Sequence, residues 1–211
     1  YHGVEEKLIL FHYRKGRGKH GPKEFLRDYQ GWLQVDGYGV YDKIGAQKGI
    51  DLMGCHVHVR RKFYEAKEYD QKRAKHALEV YRQLYDIETQ CRNMSSEQRH
   101  EYRNEHSRPI LEGFKKWLDE EAVRVLPKSP MGNAIRYAIR QWHKTIRVLE
   151  DGRLEMDNNL VENLIRRLAL GRKKNLFAGS HDTAQRIAMM YSLFATFKAN
   201  EVNPYEWLKV T

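Results

Sequence analysis

What this chain lacks narrows its class before anything it contains. Only two cysteines, Cys55 and Cys91, occur in the sequence. Two are too few for a disulfide framework, and Cys55 sits in an apolar run, so a reducing compartment is the default. No apolar stretch approaches the roughly 18 residues that span a bilayer, and the N-terminus lacks the charged-then-apolar pattern of a signal peptide. A soluble, membrane-free protein of the cytoplasm is therefore expected. Neither an internal repeat nor a low-complexity tract is visible, which argues against solenoids and linker-like chains. The first residue is Tyr1 rather than Met, and a strand-like run follows within a few positions. The native chain is expected to extend upstream.

What is present is a chain of 211 residues, 41% of them hydrophobic, enough to bury the core of one domain or of a domain with a sizeable insertion. Lys and Arg number 38 against 28 Asp and Glu, a formal net charge of +10. That balance favours an anionic partner such as nucleic acid, although charge alone does not select the polyanion.

The first third of the chain reads as strands alternating with helices. Leu8 to Tyr13 is a short β-prone run closed by Gly16, Gly18 and Gly21, and Pro22 opens a short helix carrying Phe25, Leu26 and Tyr29. Gly31 to Tyr38 is a second strand whose Asp36 falls where the apolar run meets a glycine turn. Ile50 to His58 reads as a third. This order predicts an α/β sheet. From Arg60 onward the period changes to three and four residues, with Ala74, Ala77, Leu78, Tyr81, Leu84 and Tyr85 on one stripe of a long amphipathic helix. Ser95 with Gln98 fits a capping box, Ser107-Arg108-Pro109 reads as another helix start, and Ser129-Pro130 as a third. Asp157-Asn158-Asn159 leads into one more helix with Glu162 near its first turn, expected to stop near Gly171. Ser180 caps the next helix, and Pro204 starts a last short one.

Two acidic residues stand out within this order. Phosphoryl transfer on DNA is commonly run by two divalent ions held by carboxylates on rigid elements. Asp36 at a strand end and Glu162 on a late helix have suitable placements. Each also has a plainer reading, Asp36 as a turn residue before Gly37 and Glu162 as a partner of the helix dipole. Arg166 lies four positions after Glu162, and Arg172, Lys173 and Lys174 follow it; they suit phosphate contacts or simply a solvated basic face. Asn158 reads as a helix cap and Asn159 as support for the site. Cys55-His56-Val57-His58 invites a zinc reading, but a strand would turn His56 and His58 to one face and Cys55 to the other. That run leads into Arg60, Arg61 and Lys62, so the histidines are expected close to the active centre or to DNA. The four Trp and thirteen Tyr fall mostly on apolar stripes and read as packing residues.

Leu33-Gln34-Val35-Asp36-Gly37-Tyr38, Cys55 through Phe63, Pro127-Lys128-Ser129-Pro130-Met131-Gly132 and the block from Met156 to Ser180 (MDNNLVENLIRRLALGRKKNLFAGS) closely resemble the insertion sequence 66 family of transposases. The similarity runs in order over nearly the whole chain. It implies a ribonuclease-H-like fold, a D-D-E set of metal ligands for Mg²⁺ or Mn²⁺, and the cutting and rejoining of DNA at the ends of a mobile element. The second Asp of that set falls on Asp36 and the Glu on Glu162. The first Asp has no match; it would lie on an earlier strand, and Asp51 and the Glu5-Glu6 pair do not occupy its position. This chain by itself is therefore expected to be inactive. Arg167 stands where the family usually has Pro, and Asn175 where an aromatic is common. From their charge and position, Arg60, Arg61, Arg166, Arg172, Lys173 and Lys174 are expected to contact DNA; a homo-oligomer in the active complex, helper proteins of the element and a bacterial, nucleoid-associated location are expected with the family. The expected organisation is a catalytic core of residues 1–63 and 152–211 interrupted by a helical insertion at 64–151. Two rival readings are a noncatalytic helical DNA-binding or assembly module and a structure-selective nuclease using the same metal chemistry.

Overall fold

A computed structural model describes residues 2–3, 7–16, 18, 20–174 and 178–210, and the side chains of all of these except 167–174 and 210. In chain order the elements are β1 (His2–Gly3), β2 (Leu8–Ile9), α1 (His20–Phe25), β3 (Gly31–Val35), α2 (Val40–Ile44), β4 (Ile50–Gly54), α3 (His56–Glu65), α4 (Gln71–Gln90), α5 (Ser96–Ala122), α6 (Pro130–Thr145), a 3-10 turn (Ile146–Leu149), α7 (Asn159–Lys174), α8 (His181–Ala199) and α9 (Pro204–Val210). The protein is α/β with helix predominating. No helix among the described residues is long and apolar enough to cross a membrane. Two compact units form, Phe25–Asn158 and Tyr1–Glu24 with Asn159–Thr211. Within the Phe25–Asn158 unit, Met53, Val59 and Phe63 share one hydrophobic core with helix residues between 64 and 151.

In the Phe25–Asn158 unit, β3 and β4 pair in parallel, in register from Gly31 opposite Ile50 to Val35 opposite Gly54. A parallel pair needs cover on its faces, and the helices supply it. Met53 of β4 is fully buried in a cluster with Val59 and Phe63 of α3, Ala77 and Leu84 of α4, Phe114 and Leu118 of α5 and Ile135 of α6. Phe114 stacks on Trp117 with ring centroids 5.6 Å apart and meets Phe63 edge-on at 5.9 Å. At the N-terminal end of the strands, Arg147 lies over the Trp32 ring at 4.5 Å and pairs with Asp51 at 2.7 Å, tying the 3-10 turn to both strands.

The helix caps follow the sequence signals. The Ser95–Gln98 box is formed in both directions, Ser129 Oγ accepts from the Gly132 N–H at 3.0 Å with Pro130 next to it, and Ser180 Oγ accepts from the Thr183 N–H at 3.1 Å. Two expectations fail. Pro109 does not start a helix but lies inside the 27-residue α5. Its missing N–H removes one rung, a cost of about 3 kcal/mol in a helix interior, and the stripe Leu111, Phe114 and Leu118, all buried, holds the turns that follow against the core. The strand expected over Ile50–His58 stops at Gly54, and His56 already opens α3.

Beneath the α4–α5 junction lies a charge network. Arg103, with no exposed side-chain surface, donates to both oxygens of Glu88 at 2.6 and 2.7 Å and towards the carbonyl of Val148 at 3.3 Å. Arg99 forks onto both oxygens of Glu155 at 2.9 Å and also reaches Glu88. Bidentate geometry offsets part of the desolvation cost of such pairs.

In the Tyr1–Glu24 and Asn159–Thr211 unit, β1 and β2 pair antiparallel, His2 opposite Ile9. The strand expected over Leu8–Tyr13 is realised only to Ile9. Beyond it the backbone turns to hydroxyls of α8: the Ile9 N–H donates to Thr196 Oγ1 at 3.1 Å and the Phe11 N–H to Ser192 Oγ at 2.8 Å. A helix face thus stands in for a neighbouring strand. Among the described residues the three expected strands do not form one sheet, since β2 pairs with β1 and β3 with β4.

Arg103→Ala leaves the Glu88 carboxylate buried without its main partner, and a loss of about 3–5 kcal/mol in unfolding free energy is expected. Urea denaturation followed by circular dichroism checks it. A change below about 1 kcal/mol would show that solvent already reaches the network.

Candidate functional site

Val35, buried as the last residue of β3, hands the chain to Asp36, which is exposed. Strand alternation produces this switch, and Gly37 fixes it. Gly37 has φ +82°, and a Cβ there would stand 2.6 Å from the Tyr137 hydroxyl and 3.5 Å from Gln141 Nε2, both on α6. Only glycine meets both demands. The turn folds back so that the Tyr38 N–H donates to Asp36 Oδ1 at 3.0 Å. The negative charge of Asp36 is felt nearby. The Tyr41 hydroxyl is pushed up first by burial and then by Asp36, and the Tyr137 hydroxyl by burial, opposed by Arg140 and reinforced by Asp36.

Beside Asp36, β4 ends at Gly54, where a Cβ would lie 3.0 Å from Thr145 Cγ2 and 3.2 Å from Lys144 Cβ. The close approach of α6 carries a buried cation with it, because Lys144 Nζ reaches Asp42 of α2 and, at 3.3 Å, Gln141 Oε1. Cys55 follows, buried, and its thiol is raised by burial while the backbone N–H groups of Asn158, His58 and Val57 pull the other way. His56, in the first turn of α3, places Nε2 2.9 Å from the Thr145 carbonyl oxygen, and its Nδ1 is buried with no partner. Burial holds this imidazole neutral, with its pKa lowered to about 4; the Thr145 carbonyl and Glu88 act in the opposite sense and Arg103 adds to the lowering.

The expectation that His56 and His58 share a strand face is therefore corrected. They lie on a helical turn, and His56 is a packing and hydrogen-bonding group inside the unit. The strand argument against zinc falls with the strand, and His56 Nε2 is committed to Thr145 instead. Arg60 and Arg61, expected just beyond a strand end, stand exposed in the middle of α3.

The segment leading to α7 is pinned to the same strand ends. Gln34 Nε2 donates to the Glu155 carbonyl at 2.7 Å, the His56 N–H to the Met156 carbonyl at 2.9 Å, and the Tyr85 hydroxyl to Asp157 Oδ2 at 3.2 Å. Glu162 is half-buried in the first turn of α7, and Arg166, one turn on, is exposed. Both belong to the Tyr1–Glu24 and Asn159–Thr211 unit, whereas Asp36 belongs to Phe25–Asn158. The side chains of Arg172, Lys173 and Lys174 lie outside the described residues, as does that of Arg167.

Sequence reasoning missed Tyr137, Gln141, Lys144 and Tyr85, the side chains that brace this end of the unit. A signal existed for three of them. Tyr137, Gln141 and Lys144 recur at helical spacing along the flank of the apolar stripe of α6, and polar groups so placed are buried only when something polar faces them.

The transposase IS66 family profile matches residues 2–186. The uncharacterized protein y4qI of Sinorhizobium fredii (strain NBRC 101917 / NGR234) is 34% identical over 219 residues, covering 100% of this chain and 41% of its own. The uncharacterized protein y4hP of the same strain is 34% identical over 91% of this chain and 38% of its own, and y4jD is 29% identical over 98% and 42%. The chain thus spans about two fifths of the length of these relatives. No solved structure matches it.

Because the folded chain keeps His56 neutral down to about pH 4 while the unfolded chain protonates it near 6.5, the unfolded state binds more protons between these values. Stability is expected to fall as pH drops through that window, with a slope approaching about 1.4 kcal/mol per pH unit from this group. His56→Gln, which keeps a donor for Thr145, should remove that part of the slope in urea titrations at several pH values. An unchanged slope would locate the titration elsewhere.

Proposed function

Since this chain belongs to the IS66 family of transposases, we propose that it forms part of the catalytic domain of a DNA transposase and supplies two of its metal-binding carboxylates, Asp36 and Glu162. The observation that carries the reading is Asp36 itself, an exposed carboxylate held at the C-terminal end of a parallel strand pair, where α/β proteins commonly place their ligands. One of its oxygens is oriented by the Tyr38 N–H, and no cation among the described residues pairs with the carboxylate. A hard oxygen donor so presented fits Mg²⁺ or Mn²⁺. Glu162 follows Asn158 by four positions in the chain, and the segment ending at Asn158 is fastened to the ends of β3 and β4. A ribonuclease-H-like core with a D-D-E set of ligands is the architecture this reading requires.

Asp36 and Glu162 would hold divalent ions, which would supply activation of the attacking water or DNA 3′ hydroxyl and stabilisation of the departing oxygen. The chain's own groups act around that chemistry. Asp36 and Glu162 provide oxygen ligands, Gly37 with Tyr137 and Gln141 fixes the turn that aims Asp36, and Tyr85 holds Asp157 at the entrance to the Glu162 helix. Arg60, Arg61 and Arg166, together with Arg172, Lys173 and Lys174, hold DNA phosphates without reading sequence. The complete enzyme acts on transposon ends and target DNA in the bacterial cytoplasm, as a homo-oligomer with helper proteins of its element.

In the full-length protein, Asp36→Ala and Glu162→Ala should each lower Mn²⁺-dependent nicking of transposon-end DNA by about a thousandfold, the several kcal/mol that a lost metal ligand removes from transition-state stabilisation. DNA affinity and melting temperature should change little. Nicking that survives both substitutions would rule out the shared-metal reading and favour a noncatalytic binding or assembly module.

A further inference from the structure

A cavity of about 430 Å³ opens in the Tyr1–Glu24 and Asn159–Thr211 unit, away in sequence from the proposed carboxylates. Its wall runs from Tyr13 through Arg14, Lys15, Gly16 and Gly18 to His20 and Gly21, and is completed by His181 and Gln185 of α8. Over residues 14–20 the sequence carries Arg14, Lys15, Arg17 and Lys19 with no acidic residue. Arg14 is paired with Glu24 at 2.7 Å. Lys15 has no ion-pair or hydrogen-bond partner among the described residues, and neither has His20.

We propose that this cavity binds one nucleotide unit of a DNA strand, its phosphate at Lys15 and His20 and its base or sugar against the Tyr13–His181 pair. The inference deepens the transposase reading by giving the same protein a second, separate DNA contact. Three features support it. The Tyr13 hydroxyl and His181 Nδ1 are 2.6 Å apart and their rings lie 5.9 Å apart at 32°, so two flat side chains are fixed together as a platform; flat side chains of this kind stack with bases of any sequence. Next, Gly16 and Gly18 have nothing among the described residues within 4 Å of where a Cβ would be, and Gly16 has no positive φ. The fold therefore makes no steric demand for glycine at either position, and the bare backbone leaves room for a ligand to approach its N–H groups. Finally, the first turn of α8, whose Ser180 cap satisfies the Thr183 N–H, brings the positive end of a 19-residue helix to the wall that His181 forms. No single one of these is a site; the cavity gathers them around a volume that suits one nucleotide.

The test uses the 211-residue chain and a fluorescein-labelled 20-nucleotide oligo(dT), followed by anisotropy at several salt concentrations. Gly18→Val narrows the cavity at a position where a Cβ meets nothing within 4 Å among the described residues, and Lys15→Ala removes one phosphate contact. Each should weaken binding about fivefold or more, and Lys15→Ala should lower the salt slope by about one. Thermal melting, unchanged in both, separates this from unfolding. Wild-type affinity in both variants overturns the proposal, as does tight binding of inorganic phosphate with no binding of the oligonucleotide. The outcome is independent of the metal reading, because Asp36→Ala should bind the oligonucleotide as the parent does. Loss of nicking with retained cavity effects would therefore condemn a different claim from loss of the cavity effects alone.

Discussion

Two parallel strands of five residues cannot persist in water unless something covers both their faces and their open hydrogen bonds. Here the cover comes so close that a methyl group at Gly54 would stand 3.0 Å from Thr145 Cγ2 and 3.2 Å from Lys144 Cβ of α6, tight enough that a neighbour would have to shift. That contact sets the rest of the unit. It fixes the end of β4, hence the place where α3 begins, hence the depth at which His56 meets the Thr145 carbonyl. Gly37, one strand over, is held against the same helix through Tyr137 and Gln141. The turn that presents Asp36 is therefore positioned by α6, a helix more than ninety residues away in the chain.

The buried charges extend that control. Arg99 and Arg103 of α5 join Glu88 of α4 to Glu155, in the segment that precedes α7. The Arg103–Glu88 pair contributes little net stability but is costly to rearrange, since moving Arg103 strands a largely buried carboxylate, whereas Glu155 stays partly in solvent. The helical block is thereby more than a spacer between strands and the late acidic helix. It locks the approach to that helix at Glu155, while Tyr85 holds Asp157 two residues later.

Much of this was legible in the amino-acid order, and the failures have physical causes. Caps were read correctly at Ser95, Ser129 and Ser180 because capping is local chemistry, a hydroxyl meeting an N–H two or three residues on. Asp36 at a strand end was readable from the Val-Asp-Gly step. Pro109 misled because a proline that costs a rung is tolerated when the turns after it are anchored by buried apolar residues, here Leu111, Phe114 and Leu118, and that burial depends on other helices, which sequence spacing around the proline does not reveal. Cys55 to Arg60 misled for the opposite reason. Val57 and Val59 alternate with histidines as in a strand, yet Val59 and Phe63 are four apart and point into one core, a helical relation that outweighs local β preference. The bracing by Tyr137, Gln141 and Lys144 arises only when distant elements meet.

The hydroxyl ladder of α8 has a consequence of another kind. Exposed strand edges invite self-association, because their unpaired N–H and C=O groups template another chain. Thr196 Oγ1 both accepts from the Ile9 N–H and donates to the Ile9 carbonyl, while Ser192 Oγ accepts from the Phe11 N–H and donates to the Ala188 carbonyl of its own helix. Two side chains one helical turn apart thus seal the free edge of β2. A helix cannot be extended sideways as a sheet can, so on this flank the hairpin is closed to the stacking that leads from a strand pair to a fibril.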